Sequence, residues 1–264
     1  MPLSLRTFET IPEAVAALSA GSARYLGGGT LAVRDANEGD LSFDTLVRVT
    51  DPALTRVEIK DGKVRLGASV TMSAILHHPD LAELAPAAAA IGGPAIRNMA
   101  TVGGNLFAPT PYGDFAVALL ALDATVVAGG SPMGIEEFLG GRDNFKSIVS
   151  AVEFTLPAAG AFRFVKVSRV KPKGVSVLSI ANHVESDANG TITKARVALG
   201  CMADRPVRAR EAERALVGAT LTEDGIAPAV AAVSQAINPP TDAVASEWYR
   251  REVLPVHFRR LLLR

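Results

Sequence analysis

The sequence predicts an α+β protein built from three successive units. These are a small α/β unit over about residues 1–52, a larger α+β unit over 53–158, and a C-terminal α+β domain over 162–264 with a three-stranded antiparallel sheet and helices. Three observations carry this reading. A helix signal and two short apolar strands fill the first unit. A run that alternates apolar and polar residues on both sides of Asp61-Gly62 is the strongest hairpin signal in the chain. From Phe162 onward the character changes to three β-rich segments followed by helices.

Thr10-Ile11-Pro12-Glu13 is a T-x-x-E capping box with proline in the first turn, and it opens a helix through "EAVAALS". "ARYL" is a short strand that runs into "GGGT"; after the polar "RDANEGD", "TLVRVT" is another. Beyond the hairpin, Thr71 caps a helix through "MSAILHH", and "LAELAPAAAAI" forms a second helix. The stretch Arg97–Asp114, "RNMATVGGNLFAPTPYGD", then intervenes before helical "FAVALLAL" and the strands "ATVVAG" and "SIVSAVEFTL". In the C-terminal domain "FRFVKVS", "SVLSIANHVE" and "TITKARVALG" are strands, and "VRAREAERALVG" and "EDGIAPAVAAVSQAI" are helices. A last helix, "SEWYRREVLPVHFRRLLLR", is interrupted by Pro255, with Trp248 and Tyr249 packing it to the body.

Composition narrows the function. Basic and acidic residues number 27 each, so the basic excess of a nucleic-acid surface is missing. The one cysteine, Cys201, excludes an intramolecular disulfide and cannot by itself hold an iron–sulfur or zinc site. His77 and His78, before Pro79, fit a helix end better than a metal site. The N-terminus has no signal-peptide core, and the most apolar windows are too short to span a bilayer. These features lead us to expect a cytoplasmic protein.

Two glycine loops, "YLGGGT" (25–30) and "TVGGN" (101–105), each read alone as a tight turn. As a pair they also fit an anion-binding cradle, because successive backbone N–H groups without Cβ atoms can close on a pyrophosphate. Neither loop contains the lysine of a nucleotide-triphosphate loop, and the G-x-G-x-x-G dinucleotide fingerprint is absent.

The spacing of "IGGPAIRNMATVGGNLFAPTPYGDFAVALLALDATVV" resembles the FAD-binding medium subunits of the molybdenum hydroxylases, the carbon monoxide dehydrogenase and xanthine dehydrogenase type. "YLGGGT", "GKVRLGASVTMSAIL", "ARVALGCMADRPVRAREAERALVG" and "PPTDAVASEWYRREV" extend the likeness over essentially the whole chain. The resemblance implies a two-part FAD-binding domain of the PCMH/vanillyl-alcohol-oxidase kind. It places the FAD pyrophosphate on Gly27, Gly28, Gly29 and Thr30, with Leu31 following, and on Thr101, Gly103, Gly104 and Asn105. A side chain at Gly103 is expected to occupy the phosphate's place. Arg97 and Asn98 are expected to brace the second loop. Asp114 matches an acid that faces the flavin, and it also reads as the N-cap of "FAVALLAL". Lys166 falls near a lysine beside the flavin, though a solvated strand lysine fits the same pattern. Two departures stand out. Leu31 replaces the usual polar residue, and Arg169, Lys171 and Lys173 form a basic run that we read as a solvated loop.

The expected function is that of an electron-transfer flavoprotein subunit. It would take electrons from the [2Fe-2S] clusters of a small subunit, while substrate is oxidised on a molybdopterin-containing large subunit. A dimer of heterotrimers is the expected assembly. The alternative is a stand-alone FAD-dependent oxidoreductase acting on its own small organic substrate.

Overall fold

The structure, a computed structural model, describes residues 3–170, 174–235 and 237–264. The first unit holds β1 (Ser4–Phe8), α1 (Ile11–Ser19), β2 (Ala23–Tyr25), α2 (Ala32–Asn37) and β3 (Thr45–Val49). Its strands form a parallel sheet in the order β1-β3-β2. The capping box forms as expected, with the Thr10 amide and hydroxyl both donating to the Glu13 carboxylate.

The second unit runs from β4 (Val57–Lys60) and β5 (Lys63–Gly67) through α3 (Met72–His77), α4 (Ala85–Ala89), α5 (Pro94–Met99), α6 (Val102–Leu106) and α7 (Asp114–Ala121). It ends with β6 (Thr125–Ala128), β7 (Ser131–Gly134), α8 (Ile135–Gly141) and β8 (Val149–Thr155). Its sheet is antiparallel, in the order β4-β5-β8-β6-β7. Asp61 and Gly62 both take positive φ, 50° and 73°, which is the two-residue turn the hairpin needs.

The C-terminal domain contains β9 (Phe162–Val167), β10 (Leu178–Ser186), β11 (Ile192–Gly200), β12 (Val207–Arg208), α9 (Arg210–Leu216), α10 (Glu223–Ala232) and α11 (Glu247–Leu262). Its antiparallel sheet has four strands, β12-β11-β10-β9, where the sequence predicts three. The fourth strand is two residues long, too short for any alternation to show.

Helix α7 explains how the parts join. All eight of its residues are buried, as a helix apolar on every side requires. It packs against β10 and β11 of the C-terminal sheet on one side and against α4, α6 and α8 of the second unit on the other, and the main core includes Ala181 of β10 and Ala198 of β11. Alternate residues of the same strands, such as Ile180 and Val197, face a second core built with α9, α10 and α11. So the C-terminal sheet is sandwiched, and one of its faces belongs to the core of the preceding units.

Three local expectations need correction. "LAELAPAAAAI" is a 3₁₀ segment, Pro79–Leu84, followed by α4, because Leu81 leaves helical geometry. Pro255 lies inside an unbroken α11, where burial of Leu254, Phe258, Leu261 and Leu262 outweighs the lost hydrogen bond. Trp248 and Tyr249 are 69% and 42% exposed, so they do not pack that helix. No helix among the described residues is long and apolar enough to cross a membrane.

His183 of β10 is buried against this framework. Burial, with help from the Lys194 charge, pushes its pKa below the usual 6.5. The unfolded chain therefore binds more protons than the folded one below about pH 6.5, so stability should fall as pH drops through that value. Urea unfolding between about pH 7.5 and 5.5 should show the loss, and His183→Gln should flatten the profile.

Candidate functional site

A cleft of about 920 Å³ opens where the three parts meet, at the upper end of the size range for small-molecule sites. Every residue singled out in the two glycine loops lines it, as do Asp114 and Lys166. A larger open groove of about 1150 Å³ lies at the other ends of β5 and β8. Its walls are ion pairs already closed on themselves, Arg65–Glu153, Lys194–Glu185 and Arg196–Asp123. Neither glycine loop reaches it, and the cleft that gathers both loops with Asp114 and Lys166 is the candidate.

The first loop leaves β2 after the Leu26 amide has bonded to Val47 O at 2.7 Å, and hydrogen bonding resumes with Val33 N–H on Gly29 O at 3.0 Å. Between them the N–H groups of Gly27, Gly28, Gly29, Thr30 and Leu31 donate to no acceptor among the described residues. A run of amides left unpaired beside a cleft is an anion nest. Gly29 has φ +74°, open to glycine at no cost. At Gly28 the constraint is contact: a Cβ there would stand 1.6 Å from the Met99 carbonyl oxygen. The first loop is thus laid directly on the backbone that leads into the second.

The second loop is different in kind. It is the short helix α6, and its amides are used internally. Val102 N–H bonds to Val70 O, Gly103 N–H to Ala68 O, Gly104 N–H to the Thr101 hydroxyl and Asn105 N–H to Thr101 O. A Cβ on Gly103 would meet Ala68 Cβ at 3.0 Å and Ala68 O at 3.1 Å, so that glycine serves packing onto the end of β5. The expectation that a Gly103 side chain would fill the phosphate's place is therefore replaced by a clash with the protein's own backbone. The Thr101 hydroxyl accepts from Gly104 and keeps its own proton for donation.

Arg97 and Asn98 do not brace this loop. Arg97 donates to the carbonyls of Ala89, Ile91 and Gly92 beyond α4, with 2.6 Å to Gly92, while Asn98 is exposed. Lys171 and Lys173 lie outside the described residues.

Asp114 settles one of the two readings open in the sequence. It is the first residue of α7, and the N-cap is Gly113 at φ +87° with no side-chain bond. The capping acceptor is Asn105, whose Oδ1 takes the Ala116 N–H at 2.9 Å. That frees the Asp114 carboxylate, 4% exposed, for other partners. Oδ1 accepts from the Ser176 hydroxyl at 2.6 Å, and Oδ2 pairs with Lys166 Nζ at 3.0 Å. Lys166 also donates to Ala90 O at 3.0 Å, so it is not a solvated lysine; one of its three N–H groups remains uncommitted. Cys201 lies close by, its thiol 3.5 Å from Ser176 O. Burial first, and the Asp114 charge second, push its pKa up to about 12, so it stays protonated at neutral pH.

Sequence reading missed several residues in and behind the cleft. Ser176, wholly buried behind the lining, belongs to no motif. Arg34 donates to the Tyr112 hydroxyl at 2.9 Å, tying α2 to the loop before α7. Arg142 is buried and holds Leu106 O at 2.9 Å. With Arg24, Lys146 and Lys166 these give the lining five cations against Asp114 and Asp143. A positive cleft with five unpaired amides fits a dinucleotide carrying two phosphates, and the residues present are suited to FAD.

Comparison with known proteins bears on the same point. Residues 4–155 match the FAD binding domain in molybdopterin dehydrogenase, and residues 163–264 match the CO dehydrogenase flavoprotein C-terminal domain. The chain is 28% identical to the nicotinate dehydrogenase FAD-subunit of Eubacterium barkeri, over 98% of this chain and 90% of that protein. It is 32% identical to the glyceraldehyde dehydrogenase medium chain of Sulfolobus acidocaldarius, over 63% and 61%. Among solved structures, a carbon monoxide dehydrogenase chain from Hydrogenophaga pseudoflava superposes with TM-score 0.90 at 22% identity, over 99% of this chain and 96% of that one. A quinoline 2-oxidoreductase chain from Pseudomonas putida 86 does so with TM-score 0.84 at 23% identity, over 100% and 96%. The chain belongs to the FAD-binding flavoprotein family of the molybdopterin dehydrogenases.

Proposed function

We propose that this chain is the FAD-carrying electron-transfer subunit of a cytoplasmic three-component molybdenum hydroxylase. Its partners are a small [2Fe-2S] subunit and a molybdopterin-bearing large subunit, arranged as a dimer of heterotrimers. The observation that carries the proposal is the run of free amides from Gly27 to Leu31 facing a cleft that also holds the Asp114–Lys166 pair. The relatives named as an FAD-subunit and a medium chain support a subunit over a stand-alone enzyme.

In this reading the Gly27–Leu31 amides take the diphosphate, and the Thr101 hydroxyl donates to it. Asp114 accepts from hydroxyls of the cofactor's sugar-alcohol chain. Lys166 brings a positive charge that favours added negative charge on the ring. When bound, FAD supplies the redox chemistry, accepting electrons from the iron–sulfur partner and releasing them to the terminal acceptor. The protein binds it, orients it and sets its electrostatic surroundings.

A tagged chain expressed in its native host should co-purify with an iron–sulfur and a molybdenum subunit in equal amounts. Reducing the iron–sulfur partner anaerobically should bleach the flavin absorbance. A chain that purifies alone, with flavin reduced directly by an organic substrate, would instead establish the stand-alone oxidoreductase.

A further inference from the structure

Asp114 stands on a helix of the FAD-binding region, yet both of its oxygens are held from the C-terminal domain. Lys166 comes from β9, and Ser176 from the segment that leads into β10. The two donors differ in what they can fix. An ammonium is a point charge on a flexible stem and tolerates many carboxylate orientations. A hydroxyl at 2.6 Å, wholly buried, selects one oxygen and one plane.

The Ser176 hydroxyl is itself held in place. The Val177 N–H bonds to Val167 O at 2.8 Å, and the Val177 carbonyl accepts from Arg250 Nε at 2.9 Å. The Ser176 carbonyl takes the Cys201 thiol. Just before it, Gly174 and Val175 line the cleft. The segment 174–177 is therefore a short strap, clamped by β9, β11's exit and α11, with one side chain pointed at the one buried acid of the cleft.

We infer that Ser176 is a positioning residue: it sets the orientation of the Asp114 carboxylate, and through it the affinity and potential of the flavin. The inference rests on the FAD reading of the cleft. Without the Ser176 donor the carboxylate rotates about Lys166 and keeps more of its negative charge unshared. Its lone pairs no longer meet the cofactor in a fixed direction, so binding weakens. Its field on the ring strengthens, so reduction becomes harder and the potential falls.

The test is a double-mutant cycle in the full chain, reading FAD affinity by flavin fluorescence quenching and the midpoint potential of the bound flavin. Ser176→Ala should weaken FAD binding about tenfold, as loss of a hydrogen bond to a charged group does, and lower the potential. Ser176→Cys, which keeps a weak donor, should fall between. In an Asp114→Asn background, Ser176→Ala should change neither quantity. If Ser176→Ala leaves both unchanged, or acts equally in the two backgrounds while the wild type binds FAD, the positioning role is overturned. A wild-type chain that binds no FAD overturns the cofactor reading, and this inference with it.

Discussion

Gly28→Ala should abolish FAD binding and cost more than about 3 kcal/mol of stability, the upper range for overpacking. The reason is geometric. The added Cβ falls 1.6 Å from Met99 O and 2.5 Å from Met99 C, and the third neighbour is Ala100 Cα at 3.2 Å. All three are main-chain atoms, so no side chain can rotate away. The first loop must lift off the 99–101 segment, which carries Thr101 and anchors α3 through Met72 N–H on Ala100 O. Lifting it displaces the free amides from the cleft. Gly21→Ala is the control: it also lines the cleft, but its Cβ meets nothing within 4 Å, and the change should be close to neutral. Denaturant unfolding and flavin content of the two variants decide the matter. A Gly28→Ala protein with wild-type stability and full FAD would show that the loop packing is wrong.

Arg250→Met should cost about 3–5 kcal/mol, the usual result of removing one partner of a buried ionic network. The Arg250 side chain is wholly buried. Its Nε donates to Val177 O, one terminal nitrogen to Pro240 O and Ala245 O, and the other to both oxygens of Asp242. These acceptors lie in two chain segments, at Val177 and over 240–245, which Arg250 ties to α11. Methionine fills the volume but removes the side-chain donor from the Val177 and Pro240 carbonyls and the paired cation from Asp242. For a chain of this length the loss should lower the melting temperature by roughly 10 °C. Arg250→Lys should recover only part of it, because an ammonium cannot reproduce the planar fork. Thermal unfolding of the three proteins is the measurement, and a Met variant within about 1 kcal/mol of wild type would contradict the assignment.

Much of the fold is legible where local chemistry decides it. The Thr10–Glu13 capping box, the Asp61-Gly62 turn and α7, apolar after Asp114, are set by near neighbours or by composition. What escapes is decided at a distance. β1 is absent from the sequence-predicted strands because it is an exposed edge strand whose partner, β3, lies 41 residues on. Pro255 argues for a break that buried side chains on both sides of it override. The cleft shows the same division. The glycine loops and Asp114 are visible as motifs, but their division of labour is not. The nest sits in the first loop alone, and Asn105 rather than Asp114 completes the helix start. Ser176 and Arg250 carry no local signal, because Ser176 reaches an Asp114 that lies 62 residues away and Arg250 a Val177 carbonyl that lies 73 residues away.

The central claim, that the amides of Gly27–Leu31 cradle a flavin dinucleotide, is tested most directly by the cofactor content of the purified chain. The prediction is a flavin absorption spectrum, one flavin per chain, and an extract that proves to be FAD rather than FMN, since only FAD carries the diphosphate those amides face. A colourless chain that cannot be reconstituted with FAD, or one that holds FMN, would contradict it.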